Sequence, residues 1–209
     1  MIIQGTPEWF AARCGRVTAS RIADVVAKTK TGWGASRASY MAQLVAERLT
    51  GTVAPSYEND AMRWGTEKEP DARAAYEFRH DVEVTQVGFI DHPTIAMAGA
   101  SPDGLIDDDG MLEIKCPQPA AHLETLLTQK IPEKYVTQMM WQLACSGRQW
   151  VDYVSYNPTF PENMRLFIAR VFRDDKRIDH LETEIAGFLL EMAVKLSELN
   201  SLYGEKEAA

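Results

Sequence analysis

The chain has 209 residues, 45% hydrophobic and 25% charged, with 22 Lys and Arg against 30 Asp and Glu for a formal charge of −8, a balance that fits one compact domain and excludes disordered, collagen-like and coiled-coil classes. Its three cysteines, Cys14, Cys116 and Cys145, are widely spaced, so neither a disulfide framework nor a zinc site is implied and a four-cysteine iron–sulfur cluster is excluded. No run approaches the roughly 18 apolar residues of a membrane span and Met1 to Phe10 lacks the pattern of a secretory signal, so the expectation is a soluble, cytoplasmic protein with no membrane partner.

Residues 1–50 hold seven Lys and Arg against three acids, which gives +4 and leaves −12 on the other 159 residues. A basic segment on an acidic body is either the footprint of an anionic partner or a solvated helix face. Ser20 precedes Ile22, Val25 and Val26 with Asp24 in the first turn, which predicts an N-capped helix to about Lys28. Thr29 to Ser36 reads as a Gly-containing basic loop, Ser39 to Leu49 as a second helix, and Gly51 to Ala61 as irregular. Thr66 and Glu69 have capping-box spacing, so a third helix is expected from there to Phe78, with Pro70 tolerated in its first turn.

The period then changes. Val82 to Asp91, Ile95 to Ala100, Gly104 to Asp107 and Met111 to Cys116 are short apolar runs broken by Asp, Gly and Pro, which predicts an antiparallel meander. Pro132 opens a helix that runs to Cys145 and stops at Ser146-Gly147. Trp150 to Tyr156 and Met164 to Val171 read as strands, and Ile178 to Leu199 follows helical spacing for about six turns. The expected architecture is α/β (α+β): a central mixed β-sheet flanked by helices in a single domain over residues 1–209.

The stretch that carries chemistry is Ala100 to Pro117, which places Asp103, Glu113 and Lys115 on two strands joined by a tight acidic turn. With the turn at Asp108-Asp109-Gly110, Asp103 lies opposite Lys115 and Leu105 opposite Glu113, and all three charged side chains share one face of the hairpin. A turn longer or shorter by one residue would scatter them over both faces. Two carboxylates beside a lysine are unfavourable as bare structure but suit a hard divalent cation that keeps exchangeable waters, the requirement for attack on a phosphodiester. The bland reading of each residue alone is a solvent-exposed hairpin tip with a Glu/Lys pair.

Pro102-Asp103 followed by Glu113-Ile114-Lys115 resembles the signature of the PD-(D/E)XK nuclease superfamily, whose core is restriction-endonuclease-like. The flanks SPDG and LEIKCP, the stretch WGTEKEPDAR from Trp64 to Arg73, and EWFAARCGRVTAS near the start are similar to the phage lambda exonuclease and YqaJ-like viral recombinase family. That resemblance implies catalytic roles for Asp103, Glu113, Lys115, Glu69 and Gln138, with Asp103, Glu113, the Ile114 backbone carbonyl and Glu69 as metal ligands. It also places Arg13 and Ser20 around a DNA 5′ phosphate; Ser101, just before the Pro-Asp pair, is either a further hydroxyl donor to that phosphate or a turn cap. For Glu69 the capping box is the competing reading, and for Ser20 a plain helix cap. Gln138 lies on one helix face with Tyr135 and Gln142; the family's second glutamine is replaced here by Met140, and Gln142 receives no role. Met62, in the loop before the Glu69 helix, is either a wedge at a DNA end or loop packing. Trp64 and Trp150 are expected in the core.

The implied activity is a magnesium-dependent 5′-to-3′ exonuclease on double-stranded DNA ends, using one or two Mg²⁺ with Mn²⁺ as a substitute. It belongs to phage-type homologous recombination, releases 5′-mononucleotides and leaves a 3′ single-stranded overhang for a single-strand annealing protein. The family's homotrimer ring, basic inside and acidic outside, would reconcile −8 with DNA binding. The alternatives are an endonuclease of the same superfamily, a DNA-end-binding module with weak catalysis, and an unrelated globular domain.

Overall fold

The computed structural model describes residues 2–53 and 59–204. Helix α1 (Pro7–Arg13) is capped by Thr6, whose hydroxyl oxygen accepts from the Trp9 N–H, and starts with Pro7, where no N–H is needed. Strand β1 (Val17–Thr18) leads into a 3-10 turn, Ala19–Arg21, and the short α2 (Ile22–Val25). Ser20 therefore sits inside the 3-10 turn and caps no helix, and the helix ends at Val25, before Lys28. Lys28–Thr29 (β2) pairs with Gly32–Trp33 (β3) as a hairpin where a loop was expected. Gly32 closes its turn at φ 137°, a conformation in which only glycine is unstrained.

Helix α3 (Ala35–Thr50) starts ahead of Ser39 and ends on Gly51 in the left-handed region. The irregular stretch expected over 51–61 lies partly outside the described residues, and its last two residues belong to α4 (Asp60–His80). Asn59 caps that helix by accepting from the Met62 N–H, so Thr66 lies within it and donates its hydroxyl to the Met62 carbonyl. No capping box forms, and Pro70 is an interior residue.

The expected meander divides between two sheets. Strand β4 (Ile90–Asp91) pairs antiparallel with β5 (Ala98–Ala100), which pairs parallel with β1. Strands β6 (Gly104–Ile106), β7 (Gly110–Lys115), β8 (Trp150–Tyr156) and β9 (Leu166–Phe172) form the larger sheet in that order. The break falls at Ser101-Pro102-Asp103, where proline has no N–H for a ladder. Residues 82–89 contribute the isolated bridge Thr85–Leu105 instead of a strand. Strand β7 runs antiparallel to β6 and parallel to β8, so the sheet is mixed as expected. The parallel crossover passes through α5 (Pro119–Thr128), which the sequence reading did not anticipate, and α6 (Glu133–Ser146), which ends on Gly147 as expected. Helix α7 (Asp175–Tyr203) extends past Leu199 over 29 residues. None of the described helices is long and apolar enough to cross a membrane.

Alternation along β7 divides the core. Leu112 and Ile114 pack with Ala72 and Tyr76 of α4, whereas Met111 packs with Trp141, Leu143, Tyr40 and Phe188 of α6, α3 and α7. Trp141 is fully buried, and the His92 ring stacks on it at 4.7 Å. Trp64 and Trp150 are only half-buried against the smaller core.

Two polar ties hold the large sheet. The Tyr76 hydroxyl donates to buried Asp152 Oδ2 at 2.6 Å, and Arg170 donates to both oxygens of that carboxylate at 2.8 and 2.9 Å. Arg148 donates to the carbonyls of Ile106, Asp107 and Gly110 and so ties down the β6–β7 turn. Asp152→Ala leaves the buried Tyr76 hydroxyl without its acceptor, while Arg170 can turn to water; the expected loss is about 2–4 kcal/mol in chemical denaturation.

Candidate active site

The β6–β7 hairpin turns through Asp107-Asp108-Asp109, with Ile106 opposite Gly110 and Gly104 opposite Leu112. Asp107 takes a left-handed φ of 45°, which aspartate tolerates better than most residues. The register is thus displaced by two residues from the expected one: the Asp103 N–H donates to the Leu112 carbonyl, so Asp103 lies beside Glu113 and not opposite Lys115. A shift of two preserves parity, and Asp103, Glu113 and Lys115 remain on one face. A Cβ on Gly104 would collide with Val84, so glycine is required directly after Asp103.

Glu113 is 1% exposed and meets donors at both oxygens. Gln138 Nε2 donates to Oε1 and Gln142 Nε2 to Oε2, each at 2.6 Å, and Lys115 Nζ forms an ion pair with Oε1. Tyr135, one turn earlier on α6, places its ring 5.2 Å from Lys115 Nζ. Burial alone would lower the Lys115 pKa, but the carboxylates of Glu113 and Asp103 outweigh it and hold the ammonium above its usual range. Asp103 Oδ2 accepts from the Ile114 N–H at 2.7 Å. Burial, then the charges of Glu113 and Glu69, push the Asp103 carboxyl well above the usual carboxylate range, against the opposing pull of Lys115.

Glu69, on α4, accepts from Arg73 at 2.5 Å, and the same Arg73 nitrogen reaches the Asp103 carbonyl at 3.4 Å. With no capping box at Thr66, that competing reading of Glu69 falls away. Asp103, Ile114, Lys115, Glu69, Met62 and Tyr135 line one cleft of about 570 Å³. Among the described residues, no three His, Cys, Asp or Glu side chains gather into a cation site by themselves. Asp103 lies beside Glu113 across the hairpin, and Glu69 is turned to Arg73. Carboxylates crowded as Asp103 is against Glu113 fit a divalent cation, which removes the repulsion and takes oxygen donors.

A second cavity of about 580 Å³ adjoins the cleft, with Met62 in the wall common to both. Arg13, Arg16, Arg21, Ser20 and Tyr40 line it. Arg13 stacks over the Trp9 ring at 3.9 Å and donates to Ser101 Oγ at 3.5 Å, and Trp9 Nε1 donates to the same oxygen at 2.9 Å. Burial lowers the Arg13 pKa, opposed by Tyr40 and Glu47. Ser20 is exposed on the rim, supplied by the 3-10 turn and not by a helix N-terminus. Ser101, at the end of β5, and Asp103, just before β6, tie the basic cavity to the acidic cleft through Pro102 alone.

The sequence matches the YqaJ-like viral recombinase domain over residues 8–149. The chain belongs to this family. An alkaline exonuclease from Laribacter hongkongensis, LHK-Exo, is 52% identical with a TM-score of 0.88, covering 94% of this chain and 97% of that one; its complex with dAMP gives the same values. A phage-related exonuclease from Haemophilus somnus 129PT, 12% identical, has a TM-score of 0.74 over 88% of this chain and 96% of its own, and so shares the fold. No curated protein matches significantly.

In this YqaJ-like domain, Gln142 and Arg73 belong to the polar shell around the carboxylates, and neither was singled out by sequence. For Gln142 the signal was present: it shares a helix face with Gln138, in a stretch whose other neighbours, Trp141 and Leu143, are core. Cys116 also lines the cleft, and burial, with Glu69 and Asp103 nearby, pushes its thiol up to about 12. A raised thiol pKa leaves only about one part in ten thousand as thiolate at pH 8, so reactivity is lost in the folded state and returns on unfolding. Iodoacetamide at pH 8 is expected to spare Cys116 in the native protein and modify it in urea, read by peptide mass mapping.

Proposed function

We propose that this YqaJ-like domain is a magnesium-dependent exonuclease that enters duplex DNA at an end, digests one strand 5′ to 3′ to 5′-mononucleotides and leaves a 3′ single-stranded tail. The observation that carries this reading is the adjacency of the acidic cleft and the arginine-lined cavity, with Met62 in their common wall. A terminal phosphate and a scissile phosphate are neighbours on one strand, and two adjoining sites of these chemistries suit them. The 52% identical relative is an alkaline exonuclease, and its dAMP complex contains the kind of mononucleotide the reaction releases.

Asp103, Glu113 and the Ile114 carbonyl would hold the cation, with Glu69 joining when it leaves Arg73. A divalent cation there supplies charge neutralisation at the phosphate and a more acidic attacking water. Lys115, kept protonated by its two carboxylates, acts as a fixed positive charge and hydrogen-bond donor to the phosphate and orients the water. Gln138 holds one Glu113 oxygen in place. Arg13, Ser20 and Ser101 take the terminal 5′ phosphate; a desolvated guanidinium binds an anion more strongly than an exposed one does. Met62, 49% exposed in the first turn of α4 rather than in a loop, would act as the wedge that parts the terminal base pair. Magnesium is the expected ion and manganese a substitute, since both favour carboxylate and carbonyl oxygens. A homotrimer ring with a basic lining, and an annealing protein to receive the 3′ tail, complete the reading; residues 1–209 act as one nuclease domain.

The test uses linear duplex with 5′-phosphate or 5′-hydroxyl ends, alongside a closed circle, with magnesium or chelator. Wild type is expected to release mononucleotides from 5′-phosphorylated ends, to leave the circle intact and to stop on chelation. Lys115→Ala is expected to lose about a hundredfold or more in rate. Arg13→Ala should lose the preference for phosphate over hydroxyl while the circle stays uncut. Cutting of the closed circle would establish the endonuclease alternative, and end binding without cleavage the end-binding module.

A further inference from the structure

Gln142 is a polar side chain set among apolar ones. It is fully buried on α6, between Trp141 and Leu143, which are also fully buried. Its Nε2 donates to Glu113 Oε2 at 2.6 Å, yet its own carbonyl oxygen, Oε1, is buried with no hydrogen-bond partner among the described residues. A buried polar atom left unsatisfied costs stability, so the side chain is retained for the one bond it makes. The amide cannot be reversed to satisfy that oxygen, because reversal would set it against a carboxylate oxygen.

The other oxygen of Glu113 is already taken by Gln138 and Lys115. Gln138 and Lys115 are each only partly buried, and Lys115 lines the cleft, whereas Gln142 is fully buried between core residues. Without Gln142, the carboxylate could pivot about its bonds to Oε1. With it, both oxygens are fixed and the plane of the carboxylate is set.

We propose that Gln142 is a positioning residue: it fixes the orientation in which Glu113 presents its carboxylate to the divalent cation. The inference rests on the nuclease reading above and adds to it a residue that never touches DNA or the reacting atoms. Outer-shell partners of this kind change metal affinity by about ten- to a hundredfold when removed.

The experiment compares wild type, Gln142→Leu and the length-matched Gln142→Met in three measurements. These are thermal melting, calorimetric binding of Mg²⁺ and of Ca²⁺ to DNA-free protein, and the magnesium dependence of cleavage with KM for DNA. The expected result is a cooperatively folded protein in at least one variant, with a melting temperature lowered modestly, because Glu113 Oε2 loses its donor while the unpaired Gln142 oxygen is gone. In that variant cation affinity falls about tenfold or more, magnesium half-saturation rises to match, and KM for DNA is unchanged at saturating magnesium. If a folded variant binds the cations and cleaves as wild type does, the inference is overturned and the nuclease reading stands. A variant that loses KM and stability without losing cation affinity also overturns it, since that is a packing role. If wild type itself neither binds the cations nor cleaves DNA, the nuclease reading fails, and this inference with it.

Discussion

A carboxylate withdrawn from water must be met by donors, and the structure around β7 is organised by meeting that need at Glu113. The side chain faces the larger core and not solvent, so its partners have to come from the elements packed on that face. Helix α6 supplies two amides, and β7 itself supplies the Lys115 ammonium. The consequence is a polar pair, Gln138 and Gln142, on the face of α6 turned to β7. Leu112 and Ile114, on the opposite face of the same strand, make the complementary demand and bring in α4, which carries Glu69.

The junction of the two sheets places the rest. Strand β5 belongs to the smaller sheet and β6 to the larger one, so Ser101-Pro102-Asp103 crosses between two hydrogen-bonded systems. Gln4 reinforces the crossing by donating to the Pro102 carbonyl at 2.7 Å and the Val87 carbonyl at 2.9 Å. Ser101 thereby meets Trp9 and Arg13 of α1, while Asp103 meets the Glu113 strand. A basic cavity and an acidic cleft end up adjoining, although their residues lie some ninety positions apart in sequence. Overall acidity and local basicity coexist because Arg13, Arg16 and Arg21 of the first fifty residues line one cavity beside that junction.

The sheet-forming hairpin, the mixed sheet, α6 and α7 were legible because each rests on local pattern: alternation, a Gly stop, or a long helical stripe. The face shared by Asp103, Glu113 and Lys115 was legible for the same reason, since parity survives a register shift of two. What was not legible depended on partners distant in sequence. Thr66 and Glu69 have the spacing of a capping box, but Asn59 captures the helix start first, and tertiary packing continues the helix through Pro70. Ser20 resembles a cap, yet the chain there is drawn into a 3-10 turn between β1 and α2. Gln142 shares a helix face with Gln138 between core residues, which marks it as buried, but only the approach of β7 gives its amide a partner and so a role.

The central claim is that Asp103, Glu113 and the Ile114 carbonyl form one cation site whose geometry is fixed before DNA arrives. Anomalous diffraction from crystals soaked in Mn²⁺ without DNA tests it most directly. The account predicts a peak within coordination distance of an oxygen from each of these three residues, with Glu113 still bonded to Gln138 and Gln142. No peak at the cleft at saturating manganese, or a peak reached only after Glu113 has left its two glutamines, would contradict it.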